Sequence, residues 1–294
     1  MFHWARYVVV SLSVGLFVMV LGCANGDKIG WGGTKAPAWR LGMQIYTFKE
    51  LTLLEGIDKV EALGLKYIES CSWRKIGSEY GKMTLRDATP EVRAALKQRL
   101  DQAGIQMINC YCLFREKDEA AYRQLFDFAK EMGIETLVGE PAKEQIELLD
   151  KLATEYGVNV AIHNHWKRPE KPDYGYWNPD KIVQAIEGAS KRIGASPDTG
   201  HWARSEVDSV EALRKLEGRL ITLHLKDVDA ETPKARDVPW GTGVANIKGI
   251  LAELDRQGYT GMFMIEYESH GEKRMKEIRE CIKYFNDVKR ELGR

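Results

Sequence analysis

The stretch Ile193-Gly194-Ala195-Ser196-Pro197-Asp198-Thr199-Gly200-His201-Trp202 reads as a short buried strand that runs into a polar loop. Gly200 lets the backbone turn, so Asp-x-x-His at the strand end sets a carboxylate and an imidazole at one mouth. The plainer reading of Asp198 is a cap on the helix that follows. The unit itself, strand then polar loop then helix, is what decides the fold.

Outward from that stretch the same unit recurs from Trp39 onward without a low-complexity break. The strands read as Leu41–Tyr46, Tyr67–Ser70, Gln106–Tyr111, Thr136–Glu140, Asn159–His163, Gly194–Pro197, Leu220–Lys226 and Met262–Glu266. Gly64, Gly104, Gly133, Gly157 and Gly258 stand where helices need a left-handed cap. Thr89-Pro90-Glu91 and Asn178-Pro179-Asp180 are helix starts: a capping side chain, proline in the first turn, then an acid. Val92, Leu96 and Leu100 form one apolar stripe at helical spacing, and Ile247, Ile250, Leu251 and Leu254 form another; both belong to the core. Eight such repeats fit an α/β chain closed as a (β/α)8 TIM barrel. An open doubly wound sheet would need a glycine-rich phosphate loop after its first strand, and Ile45-Tyr46-Thr47-Phe48-Lys49-Glu50 is not one.

Barrels of this kind carry their chemistry at the C-terminal ends of the strands. In order, those ends supply Glu69, Glu140, His163 with His165, Asp198 with His201, His224 with Lys226 and Asp227, and Glu266 with Glu268. Five of the six histidines fall at or just past strand ends in the second half of the chain, which solvated surface histidines would not do. Glu140, Asp198, His224 and Glu266 can converge on one divalent ion, Mn²⁺ foremost, with Mg²⁺, Co²⁺ or Zn²⁺ as alternatives. The rival is that an acid among them pairs with Lys226 or an arginine.

These residues also carry a resemblance. Leu41-Gly42-Met43-Gln44-Ile45-Tyr46, Gly139-Glu140-Pro141, Asp198-Thr199-Gly200-His201, His224-Leu225-Lys226-Asp227 and Ile265-Glu266 resemble the sugar isomerase/epimerase superfamily with its xylose isomerase-like TIM barrel, from about Trp39 to the C-terminus. The resemblance implies Glu140, Asp198, His224 and Glu266 as metal ligands. It implies Glu140 and Glu266 as the proton-transfer pair, and His201 as a substrate contact. His163, His165, Trp202, Lys226 and Glu69 join His201 as expected substrate-binding residues. His163-Asn164-His165 departs from the pattern, standing where many relatives have a glutamate; these imidazoles read as acid/base groups, hydroxyl donors or supports for a ligand. Trp166, Trp177, Trp202 and Trp240 follow strand ends and suit either sugar stacking or loop packing. Pro239-Trp240-Gly241-Thr242-Gly243 resembles the family's Gly-x-Gly segment but lacks the basic partners of a phosphate cradle.

The implied activity is abstraction of a proton beside a sugar carbonyl, as in isomerases and epimerases, acting on a small sugar or a glycoside. The first alternative is a lyase that splits 3-keto-glycosides with the same groups. A second is a phosphodiesterase resembling endonuclease IV, which would want histidines on the second and third strand ends, where this chain has Glu69 and Cys110-Tyr111-Cys112. A third is a non-catalytic sugar-binding lipoprotein. Lys plus Arg and Asp plus Glu number 43 each, so no nucleic-acid partner is expected.

At the N-terminus, His3 and Arg6 precede an apolar run from Tyr7 to Leu21 that is too short and interrupted for a membrane span. Val20-Leu21-Gly22-Cys23-Ala24 resembles a bacterial lipobox; an ordinary cleaved signal with an incidental cysteine is the rival. The reading is a signal peptide over 1–22, lipidation at Cys23, a flexible tether over 23–38 and the barrel over 39–294. It implies an exported lipoprotein facing the periplasm, anchored to the membrane only by lipid, with its oligomeric state open. Of the other cysteines, Cys71 bonded to Cys110 or Cys112 is conceivable, and buried free thiols are the preferred reading.

Overall fold

Each predicted strand forms within two residues of its expected bounds: β1 Arg40–Gln44, β2 Tyr67–Cys71, β3 Gln106–Cys112, β4 Thr136–Gly139, β5 Asn159–His163, β6 Ile193–Ser196, β7 Thr222–Leu225 and β8 Met262–Ile265. The structure, a computed structural model, describes residues 39–294 and Met1; the expected leader beyond Met1, Cys23 and the whole tether lie outside the described residues. All pairings are parallel, in the order β6-β5-β4-β3-β2-β1-β8-β7. The two ends of that row meet through parallel bridges at Ala195–Leu220 and Asp198–His224, so the sheet is a nearly closed barrel.

Helices cover the outside: α1 Leu53–Ala62, α2 Pro90–Ala103, α3 Glu119–Met132, α4 Ile146–Tyr156, α5 Pro179–Ala185, α6 Thr199–Ala203, α7 Ser209–Lys215, α8 Ile247–Arg256 and α9 Arg274–Glu291. The expected glycines end them at positive φ, 61° at Gly104, 73° at Gly133 and 68° at Gly157. Ile250, Leu251 and Leu254 of α8 are fully buried, and each such side chain stabilises the fold by roughly 1.5–3 kcal/mol. Among the described residues, no helix is long and apolar enough to cross a membrane.

Side chains alternate across a strand with period two, so the residues inside the barrel form columns. On β8 the column is Met262, Met264 and then Glu266; on β7 it is Thr222, His224 and then Lys226. Met262 and Met264 pack with Ile108 and Tyr67 as a cluster separate from the main core. Gly42 makes room for them, because a Cβ there would lie 2.7 Å from the Tyr67 carbonyl and 2.9 Å from Met264 Sδ. A register shift between β2 and β3 at Ile68/Glu69 brings Asn109 beside Glu69, and Asn109 Nδ2 donates to both Glu69 Oε2 (3.1 Å) and Thr222 Oγ1 (3.0 Å). The β8 column thus turns from apolar to polar as it rises toward its C-terminal end, while the β7 column is polar throughout.

β1 is shorter than expected. Gln44 Oε1 accepts the Tyr46 amide at 3.0 Å, and the chain turns there into a 3₁₀ helix over Ile45–Phe48. Cys71, Cys110, Cys112 and Cys281 are buried free thiols, as preferred.

Candidate metal and proton-transfer site

At the C-terminal ends a cavity of about 340 Å³ opens into the barrel. Its polar lining includes Glu140, His163, His165, His201, His224 and Glu266. The opposing wall is built from Tyr46, Trp73, Tyr111 and Leu113. β4 and β8 are four strands apart around the eight-stranded ring, so Glu140 and Glu266 enter from opposite sides. A larger cavity of about 900 Å³ adjoins it, sharing Trp166 and Glu268, with Arg204, Lys234, Arg236 and Asp237 in its lining. A third, of about 440 Å³, lies at the other end of the barrel among Arg40, Asn159 and Tyr259, remote from these groups.

Three of the four expected metal ligands converge. The Asp198–His224 bridge sets their side chains together, with His224 Nδ1 4.0 Å from Asp198 Oδ2 and 3.0 Å from Glu266 Oε2. Asp198 fulfils both readings of its sequence. Its Oδ1 caps α6 by accepting the His201 amide at 2.7 Å, while Oδ2 is buried and faces the Lys226 ammonium at 3.2 Å. Glu140 stands apart, its Oε1 held by His165 Nδ1 at 2.7 Å and by the Tyr174 hydroxyl, which donates at 2.5 Å.

The charges are closely matched to these positions. His224 lies between two carboxylates, with Nε2 2.9 Å from Glu69 Oε1. Carboxylates only accept, so both ring nitrogens donate and the ring is an imidazolium. Burial opposes that charge, but Glu69 and Glu266 win and raise its pKa to about 10. Burial lifts Asp198 to about 6 against the pull of Lys226. Burial also acts to raise Glu266, but Lys226 and His224 outweigh it and hold this carboxyl well below its ordinary range. Glu140 follows the same logic to a smaller extent: burial raises it, and His165 and Tyr174 bring it below the usual value.

Three residues expected to touch substrate are sealed beneath the cavity instead. Glu69 is fully buried and accepts from Gln44 Nε2 (2.6 Å), Asn109 and His224, so it supports the imidazole. Lys226 is fully buried, its ammonium 3.2 Å from Asp198, 3.4 Å from Glu266 and 2.8 Å from Glu268. The pairing of an acid with Lys226, the rival sequence reading, is therefore present. Trp202 is a buried core residue on α6, and Trp240 packs against Phe285; Trp166 is the tryptophan of that group on the cavity. The Gly241–Gly243 segment is not a cradle for a ligand, since the amides of Gly241, Gly243 and Ala245 all donate to the Asp227 carboxylate at 2.8–3.0 Å.

The residues fit a divalent cation on two grounds. The buried carboxyl groups of Glu69, Asp198 and Glu266 share two cationic groups, Lys226 and His224, which leaves negative charge uncompensated in a buried place. A buried ring nitrogen, His163 Nδ1, also lacks any hydrogen-bond partner, at a cost of about 1–3 kcal/mol unless something binds it, and Asp198 Oδ2 has no charge partner nearer than the Lys226 ammonium at 3.2 Å. One ligand atom each from His163, Asp198 and His224 lie within 4.8 Å of one another, and so do one each from His163, His165 and His201.

Comparison with known proteins agrees with the barrel fold. The family model for the xylose isomerase-like TIM barrel matches residues 57–288. An inosose dehydratase of Geobacillus thermodenitrificans is 28% identical, over 66% of this chain and 78% of its own. A Haemophilus influenzae protein provisionally named as an L-ribulose-5-phosphate 3-epimerase is 26% identical, over 74% of this chain and 84% of its own. The crystal structure of an uncharacterised protein from Parabacteroides distasonis superposes with a TM-score of 0.66 at 30% identity, covering 85% of this chain and 98% of that one.

Proposed function

The chain belongs to the xylose isomerase-like TIM barrel family, and on that footing we propose that it is a divalent-metal-dependent enzyme that moves a proton beside a sugar carbonyl, in the manner of sugar isomerases and epimerases. The observation that carries this reading is the opposition of Glu140 and Glu266 across one cavity lined by four imidazoles. Similarity to an inosose dehydratase and to a provisionally named ribulose-phosphate epimerase supports a polyhydroxylated carbonyl compound as substrate.

Asp198, His224 and Glu266 would hold the ion, which when bound offsets the negative charge that develops on the substrate oxygens. Glu266 is ionised and faces the cavity, so it can accept a proton from one face of a bound sugar. Glu140 approaches the opposite face, with His165 and the Tyr174 hydroxyl on its Oε1 to share the proton it exchanges. His201 reaches the same space and would bind a hydroxyl. The aromatic wall of Tyr46, Trp73 and Tyr111 would cover the apolar face of the sugar and exclude water.

A second reading is elimination from a 3-keto-glycoside. It is favoured by the adjoining 900 Å³ cavity, which gives room for a leaving group beyond Trp166 and Glu268. Export as a lipoprotein anchored through Cys23 belongs to the same proposal, because glycosides are met outside the cytoplasm.

The test is incubation of the protein and Mn²⁺, Co²⁺ or Zn²⁺ with free ketoses and with 3-keto-glycosides in D₂O, followed by NMR. Deuterium entering beside the carbonyl of a ketose supports the first reading, and aglycone release supports the second. Neither event with either class removes both.

A further inference from the structure

The carboxylate-rich ligand set read from the sequence does not assemble as one group. Glu140 is committed to His165 and Tyr174 and stands apart, while Glu266 stays beside His224 at 3.0 Å. Imidazole is what gathers. His163 is common to both clusters of mutually close ligand atoms, one with Asp198 and His224, the other with His165 and His201. Its ring centroid lies 4.8 Å from that of His224, 5.0 Å from His165 and 6.0 Å from His201. The residue is 2% exposed, and its Nδ1 is sealed from solvent with no partner. Asp198, whose Oδ2 faces the Lys226 ammonium at 3.2 Å, belongs to the first of these clusters.

His224 is prepared to join them. Glu69 Oε1 fixes a proton on Nε2, as a carboxylate behind a metal-bound histidine does, and leaves Nδ1 as the nitrogen able to give up its proton to an ion. We propose that His163 is a direct ligand of the ion, alongside Asp198 and His224, and that Glu140 is not. With Glu266 kept, a site of two imidazoles and two carboxylates suits a borderline ion such as Zn²⁺ or Co²⁺, where three carboxylates with one imidazole suit Mn²⁺ or Mg²⁺. The inference rests on the metal reading above and goes further by changing the ligand set and the class of ion.

The test uses the full chain stripped with a chelator and reloaded with Zn²⁺. X-ray absorption at the zinc edge should count at least two imidazoles, against one for the set of Glu140, Asp198, His224 and Glu266. In competition with a chromophoric chelator, His163→Ala and His163→Gln should weaken Zn²⁺ binding by about 100-fold or more, and Glu140→Gln by less than about threefold. Circular dichroism keeps the comparison to folded variants. Zn²⁺ outbinds Mn²⁺ at most nitrogen and oxygen sites, so the imidazole count and His163 carry the decision. A single imidazole in the spectrum, or wild-type affinity in both His163 variants, overturns the inference and leaves a metal-dependent enzyme standing. Failure of the wild-type chain to bind any divalent ion removes the metal reading as well.

Discussion

The ammonium of Lys226 lies 3.2 Å from Asp198 Oδ2, and both side chains are fully buried. A buried cation here holds Asp198 and Glu266 in place of, or together with, a metal ion. Removing one partner of a buried pair typically costs about 3–5 kcal/mol, because the other charge is stranded. Lys226→Met should therefore lower the melting temperature sharply in chelator, and added Zn²⁺ should recover more of it than in wild type. Thermal melts with and without metal check this. Equal metal-induced shifts in the two proteins would show that Lys226 and the ion do not act on the same carboxylates.

Glu140 and Glu266 line the cavity from opposite sides of the barrel, so each has its own part in moving the proton. Glu140→Gln and Glu266→Gln should each lower kcat by about 10²–10⁴-fold, the range for loss of a positioned acid or base. Solvent-deuterium exchange with the substrate found above is the readout. Glu140→Gln should keep its fold, since Glu140 is held only by His165 and Tyr174 at a half-open rim. Retained exchange in both variants would remove the proton-transfer assignment.

How far the sequence carried this picture depended on periodicity. Strands of period two fix which side chains enter the barrel, so Glu266 follows from Met264 and Met262, and His224 from Thr222. The same rule brings in Lys226, but its sealing beneath the cavity depends on three carboxylates from β6 and the β8 loop, which no local pattern reveals. Trp202 misled for the opposite reason: it stands beside a functional residue in sequence but turns into the core on a five-residue helix. Tyr174 carried no signal at all, because it lies in the irregular chain between β5 and α5 and reaches Glu140 only through the folded loop. Trp73 and Tyr111 likewise gained meaning only when β2 and β3 placed them edge to face at 5.6 Å.

Away from the site, Glu253 offers a clean pH test. It is 4% exposed on α8 and accepts from Arg256, Gln257 and Arg214. The Arg256 hydrogen bond is the main cause of its pKa falling from 4.5 to about 2. A carboxyl depressed on folding stabilises the protein fully above its unfolded pKa and loses that contribution as pH falls through the folded value. Glu253→Gln should cost about 1–3 kcal/mol at pH 7, and the gap should close between about pH 4.5 and pH 2. Urea denaturation at several pH values measures it; a gap that does not narrow would mean the loss is one of packing.

Arg204 gives His201 its proton arrangement. Its Nη1 lies 3.2 Å from His201 Nδ1, and arginine can only donate, so Nδ1 carries the lone pair and Nε2 the hydrogen. Asp237 anchors the guanidinium at 2.7 Å and accepts the Glu268 amide through its other oxygen at 2.5 Å, which ties the arrangement to the β8 loop. His201 stacks on His165 at 5.0 Å and lines the cavity, so its Nε2–H is a donor ready for a substrate oxygen. His201→Ala should raise KM by about 10–100-fold with a smaller change in kcat, as loss of one buried hydrogen bond to substrate does. Arg204→Met should raise KM in the same direction while leaving the imidazole present, because the ring is then free to place its hydrogen on Nδ1. Nitrogen-15 chemical shifts of the histidine rings distinguish the two tautomers directly. A His201 ring that keeps its hydrogen on Nε2 in Arg204→Met would assign the arginine to packing alone.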